Sequence, residues 1–521
     1  MAAASPQRLR VRLLVLAVAA GFFAVPGVRG DDAAAPAPLV VRVYHTNDVH
    51  GWIMARPSAD PLDAGRIVGG AAALKAWIDK DAGPKLVLDA GDWWQGTPEG
   101  SLTKGEAVAE VFNAVGYDAV EIGNHEFDAG QDNLKSLIGK LKMPVLAANV
   151  YGPDGKRVPW TKPWIVKDVD GVKFGIFGLL TTHMDKLAFP KNIAGLAFRR
   201  EVDEARDDVK ELKRQGADVI IAVTHVGFEE EGKTKFEGDQ TLAREVPGID
   251  LIVGGHSHTF LSRAYRDPEN GTLIVQAGCY LSRAGRTTFK IDPLTRRVLA
   301  SSDELVELRP DRMGEDPAVK AIVTRRADEA GKAYEAVVAT ATAAVPRGGA
   351  NAEWPLGSWM ADCYRSWAAV DLAFQNGGGV RSDIPAGPVT LRRIFNVMPF
   401  DNALVKLRMT GAQLRALLDR GMGGPRLLQL SGARVEFVPG APAGGRLSSV
   451  TVGGAPLDDA KTYSVVTLDF LVSGGDGFRE FGAVPQEETD VLARDVLAQC
   501  AQKQANIAPP APGRLRAKGG S

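Results

Sequence analysis

The stretch Leu39-Val40-Val41-Arg42-Val43-Tyr44-His45-Thr46-Asn47-Asp48-Val49-His50 decides the fold. Leu39 to Tyr44 is an apolar, β-branched run, which reads as a buried strand. A few residues on come a carboxylate and an imidazole. The arrangement recurs four times. Lys85 to Leu88 precedes Gly91-Asp92, and Ala119 to Ile122 precedes Gly123-Asn124-His125-Glu126. Asp218 to Val223 precedes Thr224-His225, and Ile249 to Val253 precedes Gly255-His256-Ser257-His258. Five of the seven histidines of the chain lie in these motifs. Ligands in open α/β sheets gather outside the carboxyl ends of strands. The pattern therefore predicts one site built from five strand ends.

The residue types in those motifs are metal ligands. In a strand or its extension, residues two apart point the same way, so Asp48 and His50 are expected to reach one ion. The Asp92 carboxylate can bridge two ions, with Gly91 allowing the turn that aims it. Asn124 offers a carbonyl oxygen, and His225, His256 and His258 offer nitrogen. Singly, each histidine could be an ordinary polar residue at a strand end. Together they form a mixed oxygen and nitrogen set that suits zinc, manganese, iron or cobalt. Two such ions about 3.5–4 Å apart bind a phosphoryl oxygen, activate a bridging water and stabilise in-line displacement.

A chain of 521 residues is too long for one ordinary domain. Its net charge of −1 argues against a nucleic-acid surface. Residues 1–30 read as a signal peptide: Arg8, Arg10 and Arg12 precede the apolar run Leu13 to Val25, and Val28-Arg29-Gly30 is a cleavage site. That run is shorter than the roughly 20 residues a spanning helix needs. The expectation is a periplasmic or secreted protein with no stable membrane anchor after cleavage. Three cysteines, Cys279, Cys363 and Cys500, allow one pair and make no disulfide framework.

Residues 31–38 form an Ala/Pro linker. Over 39–310 apolar strands alternate with amphipathic helices, Ala107 to Val115 and Asp203 to Gln215 among them, which indicates an α/β domain. Residues 311–342 read as a connector helix, capped by Asp316 with Pro317 at its first position. It either joins two domains or belongs wholly to one core. Residues 343–514 mix strands and helices without βαβ regularity, an α+β pattern, and 515–521 read as a tail. Here Tyr463 to Phe470 reads as a strand.

The motif order D-x-H, G-D, G-N-H-E, a lone His and G-H-x-H resembles the calcineurin-like metallophosphoesterases. Asn376-Gly377-Gly378-Gly379-Val380-Arg381, Met398-Pro399-Phe400 and Gly474-Gly475-Asp476-Gly477-Phe478 resemble the C-terminal domain of secreted 5'-nucleotidases and UDP-sugar hydrolases. The resemblance covers about Leu39 to Arg514. It implies a metallophosphoesterase β-sandwich flanked by helices, joined by a helix to a smaller α+β substrate-binding domain. It implies two divalent ions, one held by Asp48, His50, Asp92 and His258, the other by Asp92, Asn124, His225 and His256. His258 stands where several relatives carry an amide. His125 and Asp128 match the family's catalytic dyad; Asp128 could also cap the helix that follows.

The resemblance further implies that Arg381 binds phosphate, that Asn376 contacts the base, that Phe400 and Phe470 sandwich it, and that Asp476 accepts hydrogen bonds from ribose. One departure concerns phosphate binding. Relatives place an Arg three residues before the Glu of an E-x-x-L-G-N stretch; here Ala350 precedes Glu353-Trp354-Pro355-Leu356-Gly357-Ser358, and Arg347 lies three further upstream. The expected activity is metal-dependent hydrolysis of a small nucleotide, with 5'-nucleotides first. UDP-sugars, 2',3'-cyclic nucleotides and sulfur esters are alternatives on the same scaffold. A catalytically silent nucleotide-binding protein is a third reading; its signature, loss of a ligand or of His125, is absent.

Overall fold

The structure is a computed structural model, and it describes residues 36–58, 65–229, 237–424 and 426–518. The expected signal peptide and residues 31–35 of the Ala/Pro linker lie outside the described residues. Among the described residues no helix is long and apolar enough to cross a membrane.

The N-terminal half holds two six-stranded sheets. One has the order Val298–Glu307, Arg283–Ile291, Leu39–Thr46, Lys85–Asp89, Ala119–Glu121, Val145–Leu146. The other runs Tyr265–Arg266, Leu273–Val275, Leu251–Gly254, Val219–His225, Val172–Leu180, Trp164–Val169. The strands that lead into the five motifs pair in parallel within each sheet. Side chains alternate across each strand, and this builds the layers. Val219, Ile221 and Val223 face a core shared with Val41, Val43, Leu86 and Leu88 of the first sheet. Ile220 and Ala222 face outward, against Val202, Ala205, Val209 and Leu212 of the helix Glu201–Arg214. On the far side Tyr44, Val87 and Val120 pack under the helices Ala71–Asp79 and Glu106–Val115. The result is the expected helix-flanked β-sandwich.

The expected connector is shorter than the sequence pattern and belongs to one core. The helix runs Pro317–Ala330, and Asp316 caps it by accepting the Val319 N–H at 2.8 Å. Val319 and Val323 are buried in the N-terminal core beside Leu74 and Val108. Gly331 ends the helix at φ 106, a conformation that favours glycine. Tyr334 lies in a 3₁₀ turn and Val337 opens a strand, Val337–Ala341, so the helix does not extend to 342.

That strand pairs with Gly387–Thr390 and Asn506–Ile507, which moves the start of the second domain back from 343. Its main sheet has the order Gln429–Ser431, Leu372–Gln375, Thr462–Leu468, Ala403–Thr410, Gln486–Leu492. The strand read as reaching Phe470 stops at Leu468, and Phe470 lies in a helical turn, Asp469–Val472. The Asp469 carboxylate accepts the Phe470 N–H at 2.7 Å and turns the chain there. The start of the expected tail at 515–521 is a strand, because Leu515–Ala517 pairs with Ala433–Phe437. A Cys363–Cys500 disulfide ties the helix Pro355–Ala368 to Ala493–Gln504, leaving Cys279 as the free thiol.

Candidate metal centre and substrate cleft

The five motifs converge as expected. Asp48, His50, Asp92 and His258 each place a ligand atom within 4.8 Å of the others, and Asp92, His225 and His256 do the same. Asp92 belongs to both groups. Asn124 joins the second, with its Oδ1 2.9 Å from His256 Nδ1.

The local backbone differs from the expectation. Asp48 and His50 do not converge through strand pleating, since the strand ends at Thr46. Both adopt left-handed conformations, at φ 50 and 49, as do Asp92 (58), His256 (74) and His258 (56). Non-glycine residues are rarely held there, and such conformations cluster at functional sites. A Cβ at Gly91, itself at φ 90, would lie 2.7 Å from the Gly123 backbone N and 2.8 Å from His225 Nδ1. Only glycine admits that approach.

Neighbouring groups fix which atom each ligand presents. His50 Nδ1 donates to the Gln95 carbonyl at 2.8 Å, and His225 Nδ1 donates to the Ala90 carbonyl at 2.6 Å. The Nε2 lone pair of each ring then faces the centre. Asp48 Oδ2 accepts from Asn47 Nδ2 at 2.6 Å and from the His256 backbone N–H at 3.0 Å. Glu126, for which the sequence suggested no role, accepts the backbone N–H groups of Asp92, Trp93 and Gly123 at 2.9, 2.8 and 2.6 Å. It thereby locks the Asp92 loop to the Asn124 loop. Its place in the G-N-H-E motif was the available signal.

The donor set fits divalent cations. His225 Nε2 is buried without a hydrogen-bond partner and lies 3.1 Å from Asp92 Oδ2. His50 Nε2 faces His258 Nε2 at 3.0 Å and Asp92 Oδ2 at 3.6 Å. Burial and the Arg381 charge hold the His50 pKa well below its ordinary value, so the ring is neutral. Imidazole nitrogens and carboxylates crowded around common points are what bound cations explain.

His125 stands beside this cluster. Its Nδ1 lies 2.8 Å from Asp128 Oδ2, and its backbone N–H donates to Asp92 Oδ1 at 2.9 Å. Burial pushes the imidazole pKa down, but the Asp128 and Asp92 carboxylates outweigh it and hold it above its ordinary value. Asp128 does not cap the next helix; Gly130 precedes Gln131–Lys140. Asp132 is a surface charge, beside Lys135.

The five expected substrate residues share one cavity of about 620 Å³ with Asp92, Asn124, His125, Asp128, His256 and His258. Asp48, His50 and His225 lie buried behind it. The Phe400 ring stacks on His125 with centroids 5.5 Å apart. Phe470 meets Phe189 edge-on at 5.8 Å; Phe189 comes from the N-terminal half and no local pattern marks it. Asn376 Nδ2 donates to Asp476 Oδ2 at 2.6 Å. Arg381 Nη2 lies 3.0 Å from His50 Nε2. Arg347 pairs with Asp383 at 3.3 Å in an adjoining lobe, where Arg426, also missed in the sequence, joins it.

A helix-flanked β-sandwich with paired carboxylate and histidine clusters at its strand ends defines a metallophosphoesterase. The calcineurin-like phosphoesterase family model matches residues 41–260, and the 5'-nucleotidase C-terminal domain model matches residues 337–483. Protein UshA of Yersinia enterocolitica is 29% identical, with 90% of this chain and 92% of the relative covered. A 5'-nucleotidase of Vibrio vulnificus is 30% identical, with 95% of each covered. The crystal structure of a 5'-nucleotidase precursor from Thermus thermophilus has a TM-score of 0.85 at 29% identity, covering 93% of this chain and 100% of that one. The sulfate thiohydrolase SoxB of the same organism shares the fold, with a TM-score of 0.79 at 19% identity over 93% of this chain and 98% of its own. The chain belongs to the 5'-nucleotidase family. It is a metal-dependent hydrolase of nucleotide phosphoesters.

Proposed function

We propose that the protein is an exported 5'-nucleotidase that converts a nucleoside 5'-phosphate and water to nucleoside and phosphate. One observation carries the reading: a single cavity joins the metal-ligand cluster to Phe400, Phe470 and Asp476. Residues 39–330 form the catalytic domain, and the domain from Val337 onward supplies substrate recognition. Export rests on the character of residues 1–30.

Two divalent ions would be held by Asp48, His50, Asp92 and His258 and by Asp92, Asn124, His225 and His256. When bound, they supply charge neutralisation for the phosphoryl oxygens and acidify the attacking water. The chain's own residues do the rest. Phe400 and Phe470 hold the base, a contact worth about 1–3 kcal/mol by analogy with base stacking elsewhere. Asp476, oriented by Asn376, accepts from the ribose hydroxyls. Arg381 binds the phosphate and draws it toward the centre. His125, kept protonated by Asp128, stabilises charge on the transferring group or protonates the leaving oxygen.

The test is phosphate release from a panel of nucleoside monophosphates, UDP-sugars and 2',3'-cyclic nucleotides with added Mn²⁺ or Zn²⁺. Preferred turnover of 5'-monophosphates supports the proposal. Turnover of only UDP-sugars or cyclic nucleotides would reassign the substrate. No turnover of any member would leave a nucleotide-binding protein.

A further inference from the structure

Beside the main cleft lies a second cavity of about 290 Å³, which shares His258, Gly378, Arg381 and Arg426 with it. Three guanidiniums, those of Arg347, Arg381 and Arg426, face this lobe against one carboxylate, Asp383. Asp383 is already engaged, since its Oδ1 accepts the Arg347 backbone N–H at 2.7 Å and Arg347 Nε at 3.3 Å. The nearby Asp476 carboxylate is engaged by Asn376.

Arg426 is the unexplained member. It precedes the strand Gln429–Ser431, and a Cβ at Gly377 would lie only 3.0 Å from its Cβ. Its guanidinium makes no hydrogen bond or ion pair among the described residues, and the residue is exposed. Although part of the residue is exposed, desolvation on its cleft side and the like charge of Arg381, partly offset by Asp476, lower its pKa, yet an arginine stays charged at neutral pH. Three like charges against carboxylates that are already engaged still repel one another. A tetrahedral oxyanion relieves this, and guanidinium forks match its geometry. Gly348, Gly377 and Gly378 in the wall let backbone approach such a ligand closely.

We propose that this lobe is a second anion site, apart from the metal ligands, that takes a phosphoryl group not undergoing hydrolysis, with Arg426 as its determining residue. It rests on the nucleotide-hydrolase reading for its source of phosphate. That source is either the second phosphoryl group of a nucleoside diphosphate or the inorganic phosphate released by turnover.

The experiment compares the Mn²⁺-loaded wild type with Arg426→Gln, Arg426→Lys and Arg347→Gln. One arm measures kcat/KM for a nucleoside 5'-diphosphate and for the 5'-monophosphate of the same base. The other titrates inorganic phosphate calorimetrically. If the substrate supplies the group, Arg426→Gln lowers the diphosphate-to-monophosphate ratio by at least about tenfold, and Arg426→Lys recovers part of it as a point charge without the fork. If the product supplies it, the ratio holds while phosphate affinity falls by at least about tenfold. Both quantities staying within about twofold of wild type in Arg426→Gln overturns the proposal. Wild type that hydrolyses neither nucleotide overturns the functional reading instead, and the phosphate titration still decides the lobe.

Discussion

Arg381 Nη2 lies 3.0 Å from His50 Nε2, so a guanidinium carried by the C-terminal half reaches an imidazole of the N-terminal metal-ligand cluster. The Tyr280 hydroxyl donates to the Arg381 carbonyl at 3.0 Å, holding that loop against the cluster. Chemistry and recognition therefore meet at one point of contact.

The His125–Asp128 pair is expected to act on the chemical step. His125→Ala should lower kcat by about 10²–10⁴-fold with bound metal unchanged. Asp128→Asn should have a smaller effect, because the imidazole remains but loses the carboxylate 2.8 Å away that orients it. Steady-state kinetics with elemental analysis of the same samples checks both. Unchanged kcat in His125→Ala would remove the residue from the mechanism.

Asp92 is shared by both candidate ion sites, whereas His225 belongs to one. Chelator treatment should abolish turnover, and added Mn²⁺, Zn²⁺ or Co²⁺ should restore it. Metal content should fall by one ion in His225→Ala and by both in Asp92→Ala. Equal stoichiometry in the two variants would contradict the bridging role.

Phe400 and Phe470 both line the cleft. Phe400→Ala and Phe470→Ala should each raise KM for a 5'-nucleotide by roughly 5- to 100-fold, the equivalent of about 1–3 kcal/mol of stacking. Neither should raise KM for a small alkyl phosphate, which has no base. A similar rise for both substrates would mean that the rings only support the fold.

Asp239 is fully buried behind Thr224, whose hydroxyl donates to Oδ1 at 2.6 Å, and its Oδ2 has no hydrogen-bond partner among the described residues. Burial pushes its carboxyl pKa up to about 8, against a partial offset from Thr224. The folded protein thus keeps a proton that the unfolded chain has released above about pH 4. Stability from that proton is complete below the unfolded pKa and is lost as pH rises through about 8. Asp239→Asn lacks this dependence. Denaturant unfolding at pH 6 and pH 8 should show the variant gaining about 2–3 kcal/mol on the wild type over that interval. A gap independent of pH would show that Asp239 is ionised in the fold.

Much of the architecture was legible because it rests on local pattern. The continuous apolar run Val219 to Val223 specifies a strand buried on both faces, and the helix Glu201–Arg214 shows its apolar stripe. The connector helix ends at Ala330, short of 342, because apolar spacing at Tyr334 and Val337 suits a helix as well as a turn and a strand. Pairing with Gly387–Thr390 settles that choice, and it lies about fifty residues away along the chain.

The sequence by itself determined the ligand types and the strands that deliver them. Asp48, His50, Asp92, Asn124, His225, His256 and His258 each follow an apolar run, and strand ends are written in local sequence. Only the tertiary structure decided how those ligands are aimed. Left-handed backbone at Asp48, His50, Asp92, His256 and His258 is a strained choice, held by contacts such as Glu126 with the Asp92 and Gly123 N–H groups. Likewise only the tertiary structure brought Arg426 beside Arg381 and Phe189 against Phe470. Those contacts join segments distant along the chain, and side chains that meet through the fold of two domains leave no periodicity in either segment.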